Sequence, residues 1–199
     1  MRFAAIADVH GNHLALEAVL EDIRRQGISE IVNLGDCFSG PLEAGLTAEL
    51  LLPLNAPTVR GNHDRALIDR PFEAMGDWER PSYGQLAPHH LDWIRALPFS
   101  TVYRDEVYLC HATPKDDNTY WMETLHEAGI FHLRPLDEIE ALAEGIEQPL
   151  MLCGHSHIAR SAQLSDGRLI VNPGSVGCPG FDYDKPFYHK AQAGAPFAA

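Results

Sequence analysis

Short apolar runs alternate with helix-period segments over the first sixty or so positions of the chain. Residues 2–7 (RFAAIA) read as a strand. Asn12 then stands where a helix N-cap belongs, ahead of a helix to about Gln26. Leu16, Val19, Leu20 and Ile23 share one face of it, and Gly27 stops it. Residues 30–34 (EIVNL) read as a second strand, followed by a helix around 42–52. Residues 57–60 (PTVR) form a third strand that runs into GNHD, where another helix begins. This alternation predicts a parallel sheet with helices on its faces, an α/β fold.

The second half is less regular. Residues 71–98 are rich in Pro and Trp, with one helix near 85–97. Residues 101–104 and 107–110 pattern as a hairpin turning at Asp105 and Glu106. The segment 115–147 reads as two helices, roughly 119–128 and 136–144, a helical cap inserted into a single domain spanning 1–199. The apolar run 149–153 (PLMLC) is a buried strand. A second hairpin pairs 162–164 with 169–171 around Asp166 and Gly167, and the tail from Pro179 is turn-like.

Metal-type side chains gather at the carboxyl ends of these strands: Asp8 and His10, Asp36, then Asn62, His63 and Asp64, then His111, and finally His155 and His157. In an open α/β sheet that edge is where ligands bind. On extended chain, positions two apart share a face roughly 7 Å apart, which predicts that His155 and His157 emerge side by side. With His63 and Asp64 set aside, seven such donors remain, more than the four that one zinc takes. They suit two metals roughly 3.5–4 Å apart, bridged by a carboxylate and a water. Mixed carboxylate, imidazole and amide donors favour Mn, Fe, Co, Ni or Zn over Mg or Ca.

The net charge of −13 argues against a partner held through nucleic-acid phosphates. An acidic chain that binds an anionic substrate must supply local positive charge, as metal ions do. No run approaches ~18 apolar residues, which excludes a membrane helix on this pattern, and the N-terminus lacks a signal-peptide layout. Cys37, Cys110, Cys153 and Cys178 form no CxxC pair and read as small buried thiols of a reducing, cytoplasmic setting.

DVH, GD, GNHD, a lone His and GHSH, in that order, resemble the calcineurin-like metallophosphoesterase superfamily. ADVHGN and NPGSVG bring the chain nearest to its small bacterial and archaeal phosphoesterases. The resemblance covers about residues 6–177 and implies a four-layer α/β/β/α sandwich of two mixed sheets flanked by helices. It implies that Asp8, His10 and His157 hold one divalent ion, that Asn62, His111 and His155 hold another, and that Asp36 bridges them. It further implies that a metal-bridging hydroxide attacks phosphorus and that His63 acts as the acid with Asp64 orienting it. Arg60 reads either as a clamp for substrate phosphate or as half of a structural ion pair. The substrate would be a small phosphate mono- or diester or a dinucleoside polyphosphate. Tyr120, Trp121 and Phe131 could stack on a base, although an aromatic cluster on short helices is more often core packing. CFSG after Asp36, in place of the VDRG of protein Ser/Thr phosphatases, argues against a protein substrate. A non-catalytic scaffold on the same fold is the alternative, and the presence of His63 with every donor position filled favours an enzyme.

Overall fold

Successive residues of a strand face opposite sides of a sheet, and the core is laid out on that alternation. The computed structural model describes residues 2–184 and 187–192. Strand β1 (Ala4–Ile6) pairs in parallel with β2 (Ile31–Asn33), and helix α1 (His13–Arg25) crosses between them. Asn12 caps α1, its Oδ1 accepting from the Ala15 amide at 3.1 Å. Leu16, Leu20 and Ile23 are its buried stripe. Beyond β2 come α2 (Ala44–Leu51), α3 (Asn62–Asp69), α4 (Glu79–Tyr83) and α5 (Pro88–Ala96). Their apolar core with α1 gathers Ile6, Phe38, Leu51, Leu67 and Ile94.

The third expected strand is reduced to one parallel bridge between Asn33 and Thr58. Pro57 has no N–H to offer, and the Arg60 amide donates to the Pro98 carbonyl at 2.8 Å instead of continuing the ladder.

The hairpin of β3 (Ser100–Tyr103) and β4 (Val107–Cys110) is as expected. The segment 115–147 is not. A helix over 119–128 is replaced by an antiparallel hairpin, β5 (Glu123–His126) with β6 (Ile130–Leu133). Gly129 takes φ +74 and donates to the His126 carbonyl at 2.8 Å, supplying the left-handed residue of the hairpin turn. Thr124, Ile130 and Phe131 suit the strands. Only the second expected helix forms, as α6 (Leu136–Leu142).

Next come β7 (Leu150–Leu152), β8 (Arg160–Gln163) and β9 (Leu169–Asn172). The turn-like tail is also corrected, since β10 (Gly180–Tyr183) pairs with β11 (His189–Gln192). Strands β3-β4-β7-β9-β8 form one mixed sheet in that order. Its three central strands run parallel and its edges antiparallel. Val107, Leu109, Leu150, Leu152 and Val171 face the first sheet and meet Ala7, Val32, Leu34 and Val59. Tyr108, Cys110, Met151 and Ile170 face the other way, against Ile139 of α6 and Trp121. Helices thus flank both sheets of a mixed α/β fold. No helix among the described residues is long and apolar enough to cross a membrane.

Leu109 is 0% exposed between the sheets, whereas Val102 on the edge strand β3 is 43% exposed. Leu109→Ala is therefore expected to lower unfolding free energy by about 2–5 kcal/mol, and Val102→Ala by well under half of that. Urea denaturation of both variants checks it; equal losses would mean that the space between the sheets is not the main core.

Candidate metal centre

The two sheets deliver their carboxyl ends to one crevice. Asp8 and His10 follow β1, Asp36 follows β2, and Asn62 opens α3 just after the Thr58 bridge. From the second sheet, His111 follows β4, and His155 and His157 follow β7. Donor atoms of Asp8, His10 and His157 lie within 4.8 Å of one another, as do those of Asp36, His111 and His155. Asn62 Oδ1 is 3.0 Å from His111 Nε2 and so joins the second group. Asp36 Oδ2 stands between the groups, 3.2 Å from His111 Nε2 and 3.9 Å from His10 Nε2. His10 and His157 approach Nε2 to Nε2 at 3.1 Å. Two donors about 2.1 Å from a shared ion lie about 3–3.4 Å apart, so the separations of 3.0, 3.1 and 3.2 Å fit coordination.

The imidazoles are aimed by their second nitrogens. A carbonyl only accepts, so a ring nitrogen facing one carries the proton and leaves the other nitrogen's lone pair free. His10 Nδ1 donates to the Ser39 carbonyl at 2.9 Å, His111 Nδ1 to that of Leu34 at 2.7 Å, and His157 Nδ1 to that of Cys178. These three present Nε2. His155 is reversed: its Nε2 donates to the Asn118 carbonyl at 2.9 Å, so Nδ1 faces the centre.

His155 and His157 do not share a face of an extended segment. Both adopt left-handed φ, +67 and +59, as do Asp8 at +53, His10 at +49 and Asp36 at +54. The chain turns at each donor, and the two histidines serve different groups. Gly61 makes room for the Asp36 carboxylate, because a Cβ there would lie 2.0 Å from Asp36 Oδ1.

Charge completes the fit. Burial raises the Asp8 carboxyl, but the adjacent His157 outweighs it and leaves Asp8 lowered. Burial likewise raises Asp36, and His111 and His63 hold it well below the carboxylate range. Burial depresses the partner rings, yet the Asp36 charge lifts His111 to about 9 and the Asp8 charge lifts His157 to about 10. Burial and then these cationic neighbours push His155 down to about 4 and His10 to about 3. Each group therefore draws one positive charge to a buried carboxylate; a divalent ion there would supply two.

Other expected residues fall elsewhere. Asp64 does not touch His63. Its carboxylate accepts from the amides of Asp36 at 2.8 Å, Cys37 at 2.9 Å and Gly61 at 3.1 Å. Buried there beside Asp36, it is raised to about 6. Glu79, which the sequence did not single out, takes the expected contact: His63 Nδ1 donates to its Oε1 at 2.7 Å. Burial lowers the His63 pKa, but the Asp36 charge and Glu79 outweigh it, and the net shift is upward. Arg60 is not among the residues lining the crevice, whereas Arg65, Arg70 and Arg80 are. Trp121 is 2% exposed and belongs to the core, while Tyr120 stacks on the His155 ring at 4.7 Å. NPGSVG also has a part. Asn172 Nδ2 donates to the Gly154 carbonyl at 2.6 Å, and Ser175 Oγ donates to that of Asp8 at 2.7 Å, so this loop pins both donor turns.

Binding two divalent ions at pH 7 is expected to release about two protons, from His111 and His157. Because both pKa values are raised, the protons compete below about 9 and 10; metal affinity then falls as pH falls. Calorimetry in buffers of different ionisation enthalpy measures the release, and a value near zero would contradict this electrostatic picture.

Similarity to known proteins agrees with this geometry. The model of the calcineurin-like phosphoesterase superfamily domain matches residues 1–189. An uncharacterised protein of Methanocaldococcus jannaschii is 28% identical, over 93% of this chain and 80% of its own. The metallophosphoesterase of Sphaerobacter thermophilus is 26% identical with a TM-score of 0.65, covering 96% of this chain and 87% of that one. A candidate diadenosine tetraphosphatase shares the fold at 20% identity and a TM-score of 0.59, covering 89% of this chain and 85% of that one. The chain belongs to the calcineurin-like phosphoesterase superfamily and is, with it, a hydrolase of phosphoester bonds.

Proposed function

We propose that the chain is a dinuclear phosphoesterase for small phosphate mono- or diesters or dinucleoside polyphosphates, using two of Mn, Fe, Zn, Ni or Co. The observation that carries this reading is the pair of donor groups meeting at Asp36 Oδ2, with His63 beside them at the crevice wall. Asp8, His10 and His157 would hold one ion, and Asn62, His111 and His155 the other, with Asp36 shared. When bound, such cations neutralise phosphate charge and acidify a water nucleophile.

The chain's own residues supply the rest. Attack on phosphorus breaks the bond to the leaving oxygen, which needs a proton. His63 is suited to give it: Nδ1 is committed to Glu79, and Asp36 accepts the His63 backbone amide at 2.9 Å. The ring thus presents Nε2 with its charge supported by a carboxylate that is itself 4% exposed. Asp64 acts one step back, fixing the backbone on which Asp36 and His63 are carried. The crevice, about 970 Å³, is lined by Arg70, Arg80, Trp78, Tyr120 and Phe181 beside the donors. That volume suits a substrate larger than inorganic phosphate, and its aromatic wall suits a nucleoside or another flat group.

His63→Ala is expected to reduce kcat/KM on chromogenic mono- and diesters in Mn²⁺ by more than ~10²-fold while two metals remain bound. Full activity in that variant would remove His63 from the chemistry. Since Glu79 helps raise the His63 pKa, Glu79→Gln should lower it. The alkaline limb of the pH profile, where the acid loses its proton, then moves to lower pH. An unmoved limb would detach Glu79 from the proton transfer.

A further inference from the structure

Helix α3 starts with the donor Asn62, and one turn later Arg65 reaches across the crevice. Its Nε donates to Asp117 Oδ2 at 2.6 Å and its Nη2 to Asp117 Oδ1 at 2.9 Å. Such a two-pronged pair fixes orientation as well as distance. Asp117 is 7% exposed and lies in the loop that leaves the donor His111.

That loop is internally locked. Thr113 Oγ1 donates to the Asp116 carbonyl at 2.9 Å, and the Asn118 amide donates to Asp116 Oδ1 at 3.3 Å. Asn118 Nδ2 adds a bond to Asp117 Oδ1 at 2.9 Å. The loop then grips the donor His155 twice. The Asn118 carbonyl accepts its Nε2–H at 2.9 Å, and the Tyr120 ring lies nearly parallel to the imidazole, 23° between planes at 4.7 Å.

The three unshared donors of the second group thus converge on one loop: His111 at its start, His155 through Asn118 and Tyr120, Asn62 through α3 and Arg65. The first group is held otherwise, through the Ser39 and Cys178 carbonyls and the Ser175 contact to Asp8. We infer that the Arg65–Asp117 pair is a positioning device for the second metal alone, closing the ring of structure on which its donors stand. Arg65 and Asp117 are positioning residues that touch no metal; the pair fixes where the His155 Nδ1 lone pair points. The inference rests on the dinuclear reading above.

Mn²⁺ titration of the intact chain tests it, followed by calorimetry and by the magnetic coupling between adjacent ions in electron paramagnetic resonance. Wild type should take up two coupled ions. Arg65→Leu and Asp117→Asn should each keep one ion at wild-type affinity and weaken the other by about 10–100-fold, the scale of lost support behind a ligand, with the coupled signal replaced by that of an isolated ion. The exchange Arg65→Asp with Asp117→Arg should recover much of the second affinity. In a His157→Ala background, which removes a donor of the first group, Arg65→Leu should weaken the remaining ion. Equal weakening of both ions, with a lower melting temperature, would overturn the inference as general destabilisation. Two ions at wild-type affinity with a raised KM would overturn it by making Arg65 a substrate contact. Fewer than two ions in wild type would instead sink the dinuclear reading beneath it.

Discussion

A carboxylate taken out of water requires positive charge close by, and Asp36, 1% exposed, imposes that requirement where the two sheets meet. Its two oxygens divide the work. Oδ1 accepts the His63 amide at 2.9 Å, while Oδ2 faces His111 at 3.2 Å and His10 at 3.9 Å. The β2 end that carries it is anchored by Asp64 through the Asp36 and Cys37 amides. Asp64 also accepts from the Gly61 amide, so the same carboxylate ties the β2 turn to the start of α3. His10 and Asp36 come from one sheet and His111 from the other, so the charge links the sheets as well as the donors.

The donor turns carry backbone strain. Left-handed φ in a residue with a side chain costs on the order of 1–3 kcal/mol, and Asp8, His10, Asp36, His155 and His157 all adopt it. Neighbouring bonds hold each one there. The His10 amide donates to the Asp36 carbonyl at 3.0 Å, and the Gly154 amide donates to that of His111 at 2.7 Å. The His155 amide reaches Asp8 Oδ2 at 3.1 Å. A turn at each donor lets consecutive or near-consecutive side chains aim at one volume, which neither a strand nor a helix allows. The conformational cost is thus inseparable from the convergence.

That these side chains gather at one edge was legible in the sequence because apolar strands are short and well punctuated here, and because Asp, His and Asn recur where those strands stop. How they converge was not legible. Extended geometry assigned His155 and His157 to one face, whereas left-handed turns send them to different groups. Glu79 was invisible for a different reason. It lies sixteen positions from His63 in a Pro- and Trp-rich stretch without periodicity, and only the packing of α4 against α3 brings it near. Asp64 was misread because a carboxylate next to His63 in sequence looks like its partner, while at the third position of a helix it turns back to the N-cap amide. Gly129, one position past 128, would equally have stopped a helix, as Gly27 does after α1, so it did not separate helix from hairpin. Its left-handed turn is only required once β6 has somewhere to lie, which here is beside β11.

The chain's charge gives the centre a further consequence. At −13 overall, the protein's long-range field opposes an incoming phosphate. Arginines of the crevice offset this only in part. Arg65 is engaged by Asp117, and Arg70 and Arg80 share the wall with Asp77, Asp182 and Asp184. Without metal, the protons on His111 and His157 do no more than balance Asp36 and Asp8. Two divalent ions in their place would leave a local excess of positive charge at the centre. Metal loading and substrate affinity would then be linked by electrostatics before any bond is broken, which is how an acidic chain can favour anions at one place while repelling them over the rest of its surface.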